Sequence, residues 1–418
     1  MKFIHYFLIF SVNTAILKCH ILRKGDTVVD KLINDKIQGK NINKMDKTRN
    51  VINISKTSYY FNLEYYREKR KVRGNLQHRW FSLIPVYIDE KLNRELIIKA
   101  LNIIQTETCV RFKLVNRIFV GMSGIRYRLG ERCASFIGRS TNREFQDIFV
   151  AYYCQTLGVI QHETLHALGI DHEHNRIDRN QYVTIMTDNV DKSLINDFSI
   201  SSKLDSNTFG LPYDYGSIMH YDMDSFTKNK GSTIIPKHEL YRKTIGQVEQ
   251  LSFIDIKTVN MMYCQFKCSS SSLRCFNSGF LNPNYCDRCK CVEGFTGIDC
   301  GKFVVNEQSC GKTRYIALRK SQEIKAVGKI NCFYHLLTQR NSKIGIKIIF
   351  VSIHPYTRKY CSPNDCLEIK YWQDKTVTGA RFCGINKNII FYSKNNVVLI
   401  YYRSTDPRSR FKLIFKKC

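Results

Sequence analysis

The sequence of 418 residues lacks any long apolar run beyond its first seventeen residues. Because a helix that crosses a bilayer needs about 20 consecutive apolar residues, this absence excludes a membrane span after the amino terminus. The apolar run at residues 3–17 follows Lys2, is interrupted by Asn13 and Thr14, and gives way to polar residues. This layout is typical of a secretory signal peptide, so we expect residues 1–19 to be a leader and the protein to be extracellular. An uncleaved amino-terminal anchor is the alternative interpretation.

Acidic residues are scarce, with 36 Asp and Glu against 65 Lys and Arg, which gives a formal net charge of +29. Such a charge favours nucleic acid, anionic glycans, membrane surfaces or acidic substrates as partners. No nucleic-acid motif accompanies the basic residues, and Lys is abundant throughout the chain. The sequence therefore indicates a compositional bias and no nucleic-acid partner, with acidic partners as a secondary hypothesis.

Cysteine is absent from residues 20–70, although the chain contains 17 cysteines. This segment is rich in Lys and Asn, carries the N-x-[ST] sequon at Asn53, and ends in Arg67, Lys69 and Arg70. An Arg-x-Lys-Arg pattern is the kind that secretory convertases cut, so we predict a pro-peptide at residues 20–70 that an activating convertase removes. With Cys19 set aside as a neighbour of the leader cleavage point, sixteen cysteines remain to form disulfides in an oxidising compartment.

The composition after residue 70 changes twice. Residues 84–89 alternate like a strand, and residues 91–108 carry apolar side chains at helical spacing, which predicts an α/β layer. Six cysteines then fall between residues 268 and 300, where aliphatic residues are too few for a core, so disulfides must hold this module together. From Cys310 onward, short runs of β-branched and aromatic residues predict an all-β sandwich.

A cluster of histidines at residues 162–174 indicates a metal site. His162 and His166 are spaced i, i+4, so a helix presents both rings on one face, close enough to bind one ion. Gly169 can adopt the positive φ that ends a helix, and the resulting turn would bring His172 to the third ligand position. Three neutral imidazoles predict one zinc ion with an open coordination position for water.

Glu163 lies on the same helical turn as the ligands but is offset from them, so it is expected to act as general base toward the water that zinc activates. The pattern predicts hydrolysis of peptide bonds without a covalent intermediate. Met219 lies in an apolar turn and fits the Met-turn that metzincins place beneath the metal. His174 falls outside the ligand spacing and is interpreted as a solvated or structural histidine.

These residues resemble the astacin family of zinc endopeptidases. The stretch "HETLHALGIDHEHNRIDRNQYV" is similar to the family signature, and "SIMHY" is similar to its Met-turn. The resemblance implies an α+β metzincin catalytic domain at residues 71–264. It also implies that Tyr221 is a switchable zinc ligand that stabilises the oxyanion, and that Glu173 receives the new amino terminus after activation. A plain surface acid is the alternative for Glu173.

The later modules resemble an EGF-like module at residues 265–301 and a CUB domain at residues 302–418, so the expected fold is multidomain. For the catalytic domain the resemblance implies disulfides Cys109–Cys264 and Cys133–Cys154. For the EGF-like module it implies Cys268–Cys286, Cys275–Cys289 and Cys291–Cys300. In the CUB domain Cys310–Cys332 and Cys366–Cys383 fit, which leaves Cys361–Cys418 as an extra bridge.

Two positions depart from the family pattern. The family commonly blocks zinc with the Asp of a Phe-x-Gly-Asp motif in the pro-peptide, and the nearest candidate here is "FNLE", with Glu64 in place of the Asp. The family's "IGQR" reads "IGQV" here, so Val248 replaces an Arg that is associated with acidic side chains after the scissile bond. The resemblance therefore carries neither the inhibition mode nor the substrate preference to this chain.

The sequence predicts a secreted, convertase-activated zinc metalloendopeptidase. Its expected partners are extracellular protein substrates, and matrix, glycan or protein partners that bind through the EGF-like and CUB modules. The alternatives are a non-catalytic adhesion or binding protein on a metzincin scaffold, and a polyanion-binding protein driven by charge, which could coexist with the peptidase.

Overall fold

The computed structural model describes residues 72–73, 78–81, 83–201, 206–356 and 358–418. The predicted leader, the predicted pro-peptide with Asn53 and Glu64, and the basic cleavage pattern lie outside these residues. No helix in the described part of the chain has the length and apolar character that a bilayer crossing requires.

The upper lobe, residues 78–172, contains a five-stranded sheet. In spatial order its strands are β3 (Arg111–Leu114), β2 (Leu83–Ile88), β4 (Gly124–Leu129), β6 (Phe145–Val150) and β5 (Ala134–Ser135). All neighbouring strands run parallel except β5, which pairs antiparallel with β6. The predicted strand and helix at the start of this region are confirmed.

Two helices of the upper lobe pack into its core. Helix α1 (Arg94–Glu107) begins where the Asn93 side chain accepts a hydrogen bond from Leu96 N at 3.0 Å. Its apolar face contributes Ile97, Ala100, Leu101 and Ile104 to the core. Thr156 caps the start of helix α2 (Leu157–Ala167), and most residues of this helix are buried. The helical spacing in the sequence thus marks residues that face the core.

The lower lobe, residues 173–252, consists mostly of turns and short 3-10 segments. Its regular pairs are β7 (Val183–Ile185) with β9 (Ile234–Pro236), and β8 (Ser206–Asn207) with β1 (Val72–Arg73). Helix α3 (Phe253–Tyr263) follows, and a capping box formed by Ser252 and Asp255 starts it. This lobe therefore has few hydrogen-bonded elements of its own.

The remaining residues form a small disulfide-rich module and a β sandwich, which confirms the multidomain fold. The small module contains two hairpins, β10 (Phe280–Asn282) with β11 (Tyr285–Lys290) and β12 (Phe295–Thr296) with β13 (Lys302–Phe303).

One sheet of the sandwich contains, in spatial order, β14 (Arg314–Ile316), β16 (Asn331–Leu337), β21 (Val397–Arg403), β18 (Cys366–Lys370) and β19 (Ala380–Phe382). The other contains β15 (Gln322–Val327), β22 (Arg410–Lys417), β17 (Ile344–Ile353) and β20 (Gly384–Tyr392).

Six of the predicted disulfides are present and therefore confirmed: Cys109–Cys264, Cys133–Cys154, Cys268–Cys286, Cys275–Cys289, Cys291–Cys300 and Cys310–Cys332. The predictions Cys366–Cys383 and Cys361–Cys418 are wrong, because Cys361 pairs with Cys383 and Cys366 retains a buried free thiol.

The strand register explains the changed pairing. Cys366 and Cys383 lie one step beyond the paired residues Leu367 and Phe382 of β18 and β19. Residues directly opposite in an antiparallel pair hold their Cβ atoms about 4.5–5.5 Å apart, which is wider than a disulfide prefers. Cys361 belongs to the segment before β18 and is not constrained by that register.

Candidate metal centre

Two histidine side chains of helix α2 point toward the same place. The rings of His162 and His166 lie with centroids 4.7 Å apart. The Nδ1 atom of His162 lies 2.8 Å from the carbonyl oxygen of Ile218, and Nδ1 of His166 lies 2.8 Å from that of Ile170. A carbonyl oxygen can only accept, so both Nδ1 atoms donate and both Nε2 atoms keep a free lone pair for a metal.

Gly169 turns the chain back toward the helix. Its φ is +100°, as the sequence predicted, and its N–H donates to the His166 carbonyl oxygen at 2.8 Å. The turn brings Nε2 of His172 to 3.1 Å from Nε2 of His166. The histidine spacing and the glycine together therefore assemble the third ligand position.

The three imidazoles fit a zinc ion. Their ligand atoms all lie within 4.8 Å of one another, and they form the one such group in the described residues. Burial lowers the pKa of His162 to about 3 and also lowers those of His166 and His172, so the rings are neutral. Three neutral nitrogen donors that leave a coordination position open match a catalytic zinc site.

Glu163 lies among these ligands with its carboxylate largely enclosed. Only 6% of the residue is exposed, and burial raises the pKa of Glu163 to about 8. Its Oε2 atom is buried and has no hydrogen-bond partner within the described part of the chain. A buried acceptor without a protein partner is suited to hold a water molecule or a substrate group.

The turn at residues 217–221 lies against the same histidines. Met219 is fully buried, as the sequence predicted, and belongs to the upper-lobe core. Asp255 of α3 fixes the turn, since it accepts hydrogen bonds from Ser217 Oγ at 2.5 Å and Ile218 N at 2.9 Å. The carboxylate that caps α3 thus also orients the carbonyl that holds His162.

Tyr221 follows in the same turn and is partly buried. Its ring centroid lies 4.3 Å from that of His172, and burial raises the pKa of its phenol. His174 lies beside the same phenol, with ring centroids 4.2 Å apart, and is fully buried. His174 is therefore a structural histidine that packs against Tyr221 and Phe198, and the solvated interpretation is wrong.

Glu173 is fully buried, so the interpretation of a plain surface acid is wrong. Its backbone N–H donates to the Met219 carbonyl oxygen at 2.9 Å. Its Oε1 accepts from Asp214 N at 2.9 Å and from Arg176 Nη1 at 3.3 Å. Glu173, which directly follows the third ligand His172, is therefore bound to Met219, Asp214 and Arg176.

Two carboxylates that hold residues around the metal centre, Asp255 and Asp214, were not predicted from the sequence. Asp255 could have been found from its place in the capping box, a Ser followed three residues later by an acid. For Asp214 the local sequence shows at most a turn, because its other partners, Glu173 and Thr378, lie far away in the chain.

The comparisons with known proteins agree with this geometry. The family profile Astacin, which describes a family of peptidases, matches residues 72–264. Zinc metalloproteinase nas-34 of Caenorhabditis elegans is 35% identical over 339 residues, which cover 80% of this chain and 55% of that protein. Zinc metalloproteinase nas-36 of Brugia malayi is 33% identical over 357 residues, which cover 81% of this chain and 60% of that protein.

Among solved structures, high choriolytic enzyme 1, a hatching enzyme zinc-protease of Oryzias latipes, is 31% identical and covers 44% of this chain and 94% of its own, with a TM-score of 0.41. The chain spans about half the length of the curated relatives named above. Zinc is the cofactor that the family match and the three-histidine cluster assign. Through residues 72–264 the chain belongs to the astacin family of zinc metalloendopeptidases.

Proposed function

We propose that this chain is a secreted endopeptidase that hydrolyses peptide bonds of extracellular proteins. The observation that carries the proposal is the convergence of three neutral imidazoles on one point beside a buried carboxylate without a protein partner. Disulfides throughout the catalytic region, the small module and the sandwich support an oxidising, extracellular destination.

Zinc bound by His162, His166 and His172 would polarise a substrate carbonyl and lower the pKa of water to about 7. The charge of bound zinc would favour the ionised form of Glu163, which lies on the helical turn between two of the ligands. Glu163 accepts the proton of the attacking water and delivers it to the leaving amine. The Tyr221 phenol donates a hydrogen bond to the carbonyl oxygen as negative charge develops on it. Met219 supports the ligands from below as a buried apolar residue.

Activation is the second part of the proposal. A convertase cuts near the basic pattern that ends in Arg70, and Glu173 then receives the new amino terminus. The buried position of Glu173 beside Arg176 and Asp214 supports this role, because a carboxylate held by neighbours is already oriented for an ammonium group. The EGF-like and CUB modules bind matrix, glycan or protein partners. No observation at the site favours the non-catalytic alternative.

The test compares the processed wild-type chain with Glu163→Gln on an unfolded protein substrate. Loss of the base should lower kcat by about 10²- to 10⁴-fold while the zinc content stays at one ion per chain. Glu95→Gln, on the exposed face of α1, is the matched control and should retain wild-type kcat. A chelator should abolish wild-type hydrolysis and added zinc should restore it. A Glu163→Gln chain that cleaves as fast as wild type would refute the proposed mechanism.

A further inference from the structure

The β sandwich contacts the lower lobe at Asp214. This residue lies just before the turn at residues 217–221, the metal-site turn. Thr378, in the connection between β18 and β19, donates from its backbone N–H to Asp214 Oδ1 at 2.9 Å. Its hydroxyl donates to Asp214 Oδ2 at 3.2 Å. Both residues are buried, so each oxygen of a fully desolvated carboxylate is bound by one residue of the sandwich.

Asp214 in turn fixes the backbone that leads into the turn at residues 217–221. Its Oδ1 accepts from Gly216 N at 3.1 Å, and its carbonyl oxygen accepts from Ser217 N at 3.1 Å. The next residue, Ile218, supplies the carbonyl that orients His162. Thr378 is therefore connected to a metal ligand through one buried carboxylate and the short turn that follows it.

The sandwich also holds the other end of the turn. Lys359 forms ion pairs with Asp222 at 3.0 Å and Asp224 at 3.4 Å, immediately after Tyr221. Arg358 pairs with Glu249 at 3.1 Å. The segment from Asp214 to Asp224 is thus attached to the sandwich on both sides of the metal-site turn.

The contact between Thr378 and the backbone next to Asp214 leaves no room for an additional atom. A Cβ placed on Gly216 would lie 2.4 Å from Cγ2 of Thr378, a distance that real Cβ contacts do not reach. Lower-lobe Tyr215 and Tyr241 belong to the same apolar core as Ile369 and Tyr371 of the sandwich. The two parts are packed as one interior, so a shift of Thr378 moves the turn.

We propose that Thr378 is a positioning residue for the metal centre, which makes the CUB-type sandwich a part of the active-site scaffold. It acts through Asp214 and the Ile218 carbonyl on the orientation of His162. This inference rests on the proposed function, since it concerns the same zinc site.

The experiment uses the full processed chain and compares Thr378→Val, which removes the hydroxyl at nearly constant volume, with Thr378→Ser, which keeps it. Zinc affinity is measured by competition with a chromophoric chelator, and kcat and KM are measured on one peptide. We expect Thr378→Val to weaken zinc affinity and lower kcat by about tenfold with KM little changed, at or below the lower end of the effect of removing a direct partner of a metal ligand, because Thr378 acts through Asp214 and Ile218. Thr378→Ser should return both values to within about twofold of wild type. Thr296→Val, at an exposed position of β12, is the matched control and should match wild type.

A second pair of variants keeps the inference testable if the Thr378→Val chain does not fold. Gly216→Ala introduces the clash with Thr378, and Gly216→Ala combined with Thr378→Gly removes it. The single change should weaken zinc binding, and the double change should recover part of the loss. Equal zinc affinity and kcat in wild type and Thr378→Val would overturn the inference, as would a change in KM alone, which would assign the sandwich to substrate binding.

The two proposals fail in different ways. If wild type hydrolyses the peptide and Thr378→Val does so equally well, the positioning role fails and the peptidase assignment stands. If wild type binds zinc but cleaves nothing, the proposed function fails, and the zinc affinities of Thr378→Val and Thr378→Ser still decide the positioning role. If wild type binds no zinc, both fail.

Discussion

The upper and lower lobes both contribute residues to the metal centre, but different kinds of packing hold those residues in place. The upper lobe has a five-stranded sheet, two capped helices and its own apolar core, into which Ile218 and Met219 of the turn insert. The lower lobe has short strand pairs and 3-10 turns, and its buried aromatic residues belong to the core of the sandwich. The comparison teaches that helix α2, which carries His162 and His166, is held by the structure around it. The metal-site turn at residues 217–221 is held by distant parts of the chain.

The largest effect is expected where the upper lobe supplies a ligand. His166→Ala should abolish zinc retention and lower kcat/KM by more than about a thousandfold, because two imidazoles do not complete the site. The zinc content after dialysis and the hydrolysis rate provide the measurement. His354→Ala in the sandwich is the control, and zinc retention by His166→Ala equal to that of wild type would contradict the assignment.

The sandwich, on which the lower lobe depends, is expected to lose most stability at its buried ion network. Glu368 is buried and accepts from Gly379 N at 2.9 Å and Arg381 Nε at 3.0 Å, with Arg403 and Lys370 nearby. Burial alone would raise its pKa, but the three cations outweigh burial and lower the pKa of Glu368 to about 2. Glu368→Gln should lower the free energy of unfolding at pH 7 by about 3 kcal/mol.

The pH dependence of this loss follows from the sign of the shift. Because the folded pKa lies below the unfolded value of about 4.3, the stabilisation is complete above that pH and is lost as the pH falls toward 2. Denaturant unfolding of wild type and Glu368→Gln should therefore converge in acid. Glu323→Gln, which breaks an exposed pair with Lys412, should cost less than about 1 kcal/mol. A difference between wild type and Glu368→Gln that does not narrow in acid would refute the network.

A smaller effect is expected at the turn that joins the lobes. Gly169→Ala should cost about 2 kcal/mol, because an L-residue is strained at φ +100° and its Cβ would lie 2.9 Å from Cε of Met262. Gly121→Ala is the control, since Gly121 has φ +78° but no atom near the added Cβ, and should cost about 1 kcal/mol. Thermal unfolding of the zinc-free chains separates the two. Equal losses would show that Met262 does not restrict the position.

The smallest effect is expected at the free thiol. Cys366→Ala should cost about 1 kcal/mol, since it removes one buried atom and no bridge. Cys361→Ala should cost about 2–5 kcal/mol, because it breaks the bridge to Cys383. Peptide mapping without reduction should recover Cys361 joined to Cys383. Recovery of Cys366 joined to Cys383 would contradict the pairing.

The contrast between the lobes also explains how much could be predicted. The ligands, Glu163 and Gly169 follow from helical periodicity and turn chemistry, which act over a few residues. The contact of Asp214 with Thr378 joins residues 164 apart, and no periodic pattern signals it. The fold classes of the sandwich and the disulfide-rich module could be predicted from composition. That Cys383 pairs with Cys361 and not with Cys366 depends on the register of β18 and β19, which the sequence does not reveal.

X-ray absorption at the zinc edge of the processed chain tests the central claim most directly. One zinc per chain with three imidazole nitrogens in its first coordination sphere is the predicted result, and His172→Ala should reduce that count or release the metal. A chain that binds no zinc, or a zinc with sulfur ligands, would contradict the assignment of His162, His166 and His172 as the metal centre.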